Sequence, residues 1–284
     1  MKRKPKPSTV GTTLTRLQAR LELISATPAL DAQLLLGHLL ERSRTWLLAH
    51  PDELISSGIS EKLEALVSRL EGGQPLPYLL GHWEFFGLDL EVTPDVLIPR
   101  PETELLVENA LAWLRDKPNA RRFVDVGCGS GCIGIALVVN IPDLTGVCLD
   151  ISPAALEVAR RNAARHGVDA RLEFLCTDLL SAPGHFNLIV ANLPYIATST
   201  MVRLPIYGHE PTLALDGGPD GMVVIRRLLD QVPGRLLPGG LLLMETEASA
   251  GKATLTLAQE KFPNARFCLL PDLAGHDRLL EVQL

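Results

Sequence analysis

FVDVGCGSGCIGIAL, Phe123–Leu137, passes from a short apolar strand through Gly127, Gly129 and Gly131 into an apolar segment of helical character that runs to about Asn140. A strand that enters a helix through glycines brings backbone N–H groups close to a ligand. The same alternation continues downstream. GVCLD leads to Ser152, a helix-capping residue type, then Pro153 at a first helical position and a helix expected to end at Gly167. RLEFL, FNLIVA, a helix around Met222–Val232, LLLMETE, a helix around 251–262 and two short strands near 265–270 and 278–283 complete the series. Strands alternating with helices predict an α/β fold, a doubly wound, mostly parallel sheet of seven strands covered on both faces. The last two strands have no helix between them, so one is expected to run antiparallel.

Upstream the pattern differs. Leu63, Leu66, Val67 and Leu70 recur at helical spacing, with Ser60 as the expected cap and Gly72 as the stop. Leu30, Leu34, Leu35, Leu39 and Leu40 mark an earlier helix of the same kind. Short alternating segments around Gly87 read as a hairpin. Pro99 and Pro101 bracket Arg100, and a helix with Glu102 and Glu104 in its first turn follows. The expected division is a helical domain over 1–80, a β-hairpin linker over 81–100 and the α/β domain over 101–284.

The 284 residues are 46% hydrophobic and 21% charged, which suits a globular chain with a sizeable core. No apolar run has the length of a membrane span, and no secretory signal pattern is present, so a cytoplasmic protein is expected. Five cysteines without CxxC pairs read as reduced core thiols rather than disulfides or a metal site. The first twenty residues carry six basic side chains and no acid: Lys2, Arg3, Lys4, Lys6, Arg16 and Arg20. Residues 101–284 carry 16 basic and 21 acidic residues, a balance that argues against stable binding to a nucleic-acid backbone.

The glycine loop has two readings. Gly129-x-Gly131-x-x-Gly134, with Asp150 about twenty residues on, fits the dinucleotide fingerprint and would imply NAD and an oxidoreductase. The whole unit Asp125-x-Gly127-x-Gly129-x-Gly131 resembles the first motif of class I methyltransferases, Rossmann-like enzymes that bind S-adenosyl-L-methionine. That resemblance implies that Gly127, Cys128, Gly129, Ser130 and Gly131 lie beneath the methionine part. Asp150 would hold the ribose, Asp178 would contact the adenine, and Leu179 would pack on its ring.

A second motif bears on the choice. FNLIVANLPYIATS, Phe186–Ser199, ends a core strand in Asn192, Leu193, Pro194 and Tyr195. It resembles the Asn/Asp-Pro-Pro-Tyr motif of methyltransferases that act on planar nitrogens, with Leu193 in place of the usual first proline. An amide nitrogen is a poor nucleophile, because its lone pair is delocalised into the carbonyl. Two acceptors can hold its two N–H groups and stabilise the charge that develops on nitrogen. The Asn192 side-chain oxygen and the Leu193 carbonyl are the expected pair, with Tyr195 as a wall of the slot. Asn192 also borders the donor.

Residues 73–108, which include Ile98-Pro99-Arg100-Pro101-Glu102-Thr103-Glu104, resemble the release-factor glutamine methyltransferases, the PrmC/HemK family. So do LDAQLLLGHLL near residue 30, HEPTLALDGGPDGM from His209 to Met222, and DLAGHDR from Asp272 to Arg278. The resemblance implies methylation of the side-chain nitrogen N5 of the glutamine in the Gly-Gly-Gln motif of class 1 peptide chain release factors, in translation termination. The donor would be S-adenosyl-L-methionine and the product S-adenosyl-L-homocysteine, with no metal. The helical domain would dock the protein substrate, and a monomer suits so large a partner. Arg100, Glu102 and Glu210 would support the site; a pairing of Arg100 with Glu102 is the plainer reading of those two. A DNA adenine-N6 methyltransferase shares the Asn-x-Pro-Tyr chemistry, but would need a basic reading surface and base flipping.

Overall fold

The computed structural model describes residues 8–181 and 183–284; Lys2, Arg3, Lys4 and Lys6 of the basic segment lie outside the described residues. The chain divides into two units, one ending at Gly81 and one spanning His82–Leu284.

The first unit is helical: α1 Val10–Leu21, α2 Pro28–Leu40, α3 Arg44–Ala49, α4 Ser57–Glu71 and α5 Leu76–Leu80. Leu17, Leu21, Leu35, Leu36, Leu47, Leu63 and Val67 are fully buried and form its core. α4 begins one turn earlier than its sequence suggests. Ser56, in extended backbone, accepts the Ile59 N–H and caps the helix, whereas Ser60 lies inside it and donates back to the Ser56 carbonyl.

The second unit opens with the hairpin β1 His82–Phe85 and β2 Leu88–Glu91. Its two-residue turn places both Phe86 and Gly87 at positive φ, 52° and 74°, the geometry that matches the twist of the paired strands. Phe86 tolerates this because its N–H donates to Glu104 Oε1 (2.9 Å) and its ring packs against the core. There follow α6 Glu104–Asp116, β3 Arg122–Val126, α7 Cys132–Asn140, β4 Thr145–Asp150, α8 Pro153–Arg165, β5 Leu172–Cys176 and β6 Phe186–Ala191. The chain ends with α9 Thr198–Met201, α10 Val223–Gln231, β7 Leu236–Glu245, α11 Gly251–Lys261, β8 Arg266–Pro271 and β9 Asp277–Gln283.

Seven strands form one sheet in the order β5-β4-β3-β6-β7-β9-β8, parallel except for β9. Side chains alternate across it. Phe123, Leu188, Val190, Leu241 and Leu243 bury into one core layer, and Val124, Val126, Ile189, Ala191, Leu242 and Met244 into the other. A sheet buried on both faces explains why the central strands read as continuous apolar runs. No helix among the described residues is long and apolar enough to cross a membrane. Cys128 and Cys148 are buried and Cys132 is half-buried, but Cys176 and Cys268 are exposed, so the expectation of core thiols fails for those two. Cys176 ends β5, an edge strand with an exposed flank, and Cys268 lies on β8, the other edge.

Two buried features of β3 set testable properties. Phe123 faces Gly146 across the β3–β4 pair, and a Cβ at Gly146 would sit 2.1 Å from the ring. Gly146→Ala should therefore destabilise by about 1–3 kcal/mol through overpacking, read as a lower urea midpoint at unchanged m. Asp125 is fully buried; its Oδ2 accepts the Gly134 N–H (3.0 Å), while Oδ1 has no partner among the described residues. Burial raises its pKa from the ordinary 3.8 to about 7. An acid whose folded pKa is raised contributes stability at low pH that is lost as pH rises through the folded value. Relative to Asp125→Asn, the parent protein should lose stability between about pH 4 and 7 and no more above, by at most about 4 kcal/mol, in urea melts across that range.

Candidate active site

The sheet reverses its winding direction between β3 and β6. β3, α7, β4, α8 and β5 wind one way, and β6 returns to the other side of β3. Such a switch point opens a crevice at the carboxyl ends of the two strands. Here Val126 pairs with Ala191, so the glycine loop and the Asn192 segment leave the sheet side by side. Gly127 has φ 73°, and a Cβ there would lie 2.9 Å from Leu193 Cδ2. The Leu193 side chain is buried in the core layer beneath the loop. Packing thus restrains the position that a proline would have restrained through φ.

A cavity of about 420 Å³ occupies the crevice, within the usual range for small-molecule sites. Its walls include Gly127, Cys128, Gly129, Ser130, Asp150, Asp178, Leu179, Asn192, Leu193, Pro194 and Arg100. Gly131, Glu102, Glu210 and Tyr195 are not among the lining residues. Gly131, at φ 79°, instead lets α7 pack on α8, since a Cβ would stand 3.1 Å from Ala159.

Asp150 ends β4 and binds the loop itself. Its Oδ2 accepts the Gly129 N–H (2.8 Å) and its Oδ1 accepts the Ser152 N–H (2.9 Å). Burial raises its pKa, and the N–H groups of Ser152, Gly129 and Ile151 oppose the rise. Two carboxylate oxygens offer four lone pairs, so acceptor capacity is left over. Asp178 pairs with Arg227, which also lines the cavity. Leu179 follows at φ 51°, a strained conformation for a leucine, and is buried against the same wall.

At the other end of the cavity four polar side chains form a chain. Tyr195 Oη donates to Glu245 Oε1 (3.3 Å), Thr103 Oγ1 donates to Glu245 Oε2 (2.7 Å), and Asn192 Nδ2 donates to Thr103 Oγ1 (3.0 Å). Thr103 and Glu245 are buried. Burial raises the Glu245 pKa, with the Thr103 hydrogen bond opposing it. Burial and the Glu245 carboxylate push the Tyr195 phenol well above its ordinary range, so it stays a donor. Tyr195 anchors the segment through this bond. Asn192 Oδ1 receives no hydrogen bond from the described residues.

Arg100 Nη2 lies 2.5 Å from Glu210 Oε1, and Glu210 Oε2 accepts the Ile98 N–H (3.2 Å). Arg100 therefore pairs with Glu210 rather than with Glu102, which is exposed. The buried Glu210 ties the 98–100 segment to the loop after β6. Asn162 does similar work on the loop's far side. Fully buried on α8, it accepts the Glu91 N–H (2.7 Å) and donates to the carbonyls of Glu91 and Ser130 (both 3.0 Å), clamping hairpin to glycine loop.

Thr103, Glu245 and Asn162 escaped the sequence reading. Thr103 sits within the Pro-Glu-Thr-Glu string and Glu245 at the acidic end of LLLMETE, and no local pattern marks either. Ala191 pairs with Met244, so Glu245 comes to lie next to Asn192, a proximity set by the β6–β7 register. Asn162 was findable in principle, as an amide on the buried face of an amphipathic helix.

The chain is similar to known proteins over most of its length. Residues 12–81 match the family model for the PrmC N-terminal domain, and residues 101–205 match that for the methyltransferase small domain. The release factor glutamine methyltransferase of Moorella thermoacetica is 42% identical over 254 residues, covering 88% of this chain and 89% of that protein. The enzyme of the same name from Bordetella pertussis is 41% identical, covering 89% of this chain and 93% of that protein. At the level of fold alone, the hMettl16 catalytic domain in complex with MAT2A 3'UTR hairpin 6 superposes with a TM-score of 0.54 at 15% identity, covering 70% of this chain and 75% of that one. A seven-stranded class I methyltransferase fold and kinship over most of the chain at these identities place it in the release factor glutamine methyltransferase family.

Proposed function

We propose that this protein methylates the side-chain amide nitrogen, N5, of the glutamine in the Gly-Gly-Gln motif of class 1 peptide chain release factors, with S-adenosyl-L-methionine as donor. Beyond kinship, one observation carries the reading: a carboxamide oxygen, Asn192 Oδ1, without an internal donor, on a cavity wall shared with the glycine loop. That is the acceptor a planar N–H group needs.

The residues present fit the donor. A Cβ at Gly129 would meet no protein atom within 4 Å, so the loop leaves open space at the cavity wall. Ser130 Oγ is buried and has no hydrogen-bond partner among the described residues. Gly127, Cys128, Gly129 and Ser130 would hold the methionine part, Asp150 the ribose hydroxyls through its free lone pairs, and Asp178 with Leu179 the adenine. Bound there, S-adenosyl-L-methionine supplies an electrophilic methyl group and is released as S-adenosyl-L-homocysteine.

The chain's own part is orientation and electrostatics. Asn192 Oδ1 and the Leu193 carbonyl each accept one N–H of the substrate amide, which aims the nitrogen at the donor side of the cavity. The two oxygens also stabilise positive charge as it builds on nitrogen. No strong base is required, because an N-alkylated amide cation gives up its proton readily to water. Arg100, held by Glu210, edges the entrance. Glu102 is exposed and available for substrate contact. In this reading the helical unit up to Gly81 docks the release factor, and the protein works as a cytoplasmic monomer without stable nucleic-acid binding.

Incubation with labelled donor and unmodified release factor, followed by peptide mass spectrometry, should find a single added methyl on the Gly-Gly-Gln glutamine. A label found elsewhere, or none, refutes the reading. Asn192→Ala should lower kcat by an amount equivalent to about 3 kcal/mol, the scale of losing one oxyanion-hole donor, with donor affinity little changed. Asp150→Ala should weaken donor binding by about 1.5–3 kcal/mol in calorimetry, the scale of hydrogen bonds to a charged group. Unaltered affinity would remove Asp150 from the donor site.

A further inference from the structure

The Asn192 carboxamide has two faces of opposite character, and catalysis as proposed above needs the oxygen to face the cavity. An NH₂ group turned that way would meet the substrate N–H groups donor to donor. Nothing in Asn192 itself selects between the two orientations, since its oxygen and nitrogen are nearly equal in size. The selection must come from what the inner end of the amide touches, which is Thr103 Oγ1 (3.0 Å).

A hydroxyl carries one proton. Thr103 has a carboxylate oxygen of Glu245 at 2.7 Å, and both residues are buried, so water does not compete for the bond. The two hydroxyl hydrogen bonds and the nearby Arg278 charge favour the ionised form of Glu245 against its burial, and a carboxylate can only accept, which commits the Thr103 proton to Glu245. Tyr195 donates to the other carboxylate oxygen, so both oxygens are engaged as acceptors. With its proton spent, Thr103 Oγ1 can only accept from Asn192. The amide must then give its NH₂ to Thr103 and leave Oδ1 toward the cavity.

We infer that Thr103 and Glu245 are positioning residues whose donor–acceptor order sets the orientation of Asn192, the group that grips the substrate amide. Direct contact with the reacting atoms is left to Asn192. The inference rests on the functional reading above and adds two residues to it. They come from distant points in the chain: Thr103 from the turn before α6, Glu245 from the end of β7. Each substitution has a distinct expected effect. Thr103→Val keeps the shape and removes the relay. Thr103→Ser keeps the relay. Glu245→Gln makes it ambiguous, because a glutamine can turn either its oxygen or its NH₂ to Thr103. In the second arrangement Thr103 donates to Asn192 and the amide reverses.

The test has one readout without donor or substrate and one in turnover. In ¹⁵N-labelled protein the Asn192 side-chain NH₂ resonance is identified by its loss in Asn192→Ala. Thr103→Val should shift that resonance and speed its hydrogen exchange, and Thr103→Ser should restore both. In turnover with release factor, Thr103→Val should lower kcat at least about tenfold with KM and donor affinity unchanged. Thr103→Ser should recover most of that loss, and Glu245→Gln should fall between. In the Asn192→Ala background Thr103→Val should cost little more, since its effect passes through Asn192. An unmoved resonance, full kcat in Thr103→Val, or additive losses in the double variant would overturn the inference. A parent protein inactive on release factor while the resonance behaves as described would instead refute the functional reading.

Discussion

Parallel pairing of β3 with β6, Val126 against Ala191, brings the glycine loop and the Asn192 segment together. Right-handed crossovers place α7 and α8 over the sheet on one side of β3, and the chain must return to the other side to continue. That return leaves two strand ends with no crossover between them, and the loops that follow pack against each other. The fit of Gly127 against the buried Leu193 side chain is the consequence. A glycine loop and a polar turn far apart in sequence become two walls of one cavity.

Around that junction, burial decides which polar groups matter. Asp89 with Arg165 and Glu91 with Arg161 link the hairpin to α8, but these pairs face solvent and contribute little. The buried amide of Asn162, with three hydrogen bonds to two backbone segments, does the joining. The same contrast holds at the Asn192 end of the cavity. Glu245, Thr103 and Glu210 are out of water, so each hydrogen bond they make has a fixed direction and an unmade one would be costly. Directional order of this kind is what a site needs to hold one face of a small amide.

Some sequence readings failed for local reasons that tertiary contacts outweighed. Ser56 and Ser60 are both serines near a helix start, and only the extended backbone at Ser56 makes it the cap. Arg100 had an acid two residues away, yet it reaches Glu210, because the turn at Pro101–Thr103 carries Glu102 into solvent while the loop after β6 brings Glu210 underneath. The hairpin groups with the α/β unit, where Asn162 of α8 joins it.

Much was nevertheless legible in one dimension. Strands and helices of the α/β unit, their alternation, the antiparallel last pair, the glycine loop and Asn192 at a strand end all follow from patterns within a few residues of each other. Hydrophobic period, turn chemistry and capping act over that range, and a linear reading can see them. Which acid meets which base, which hydroxyl meets which amide, and which glycine faces the cavity rather than a helix were set by sheet order and register. Those contacts join residues such as Thr103, Asn192 and Glu245, whose separation along the chain carries no signal and whose meeting exists only once the seven strands have paired.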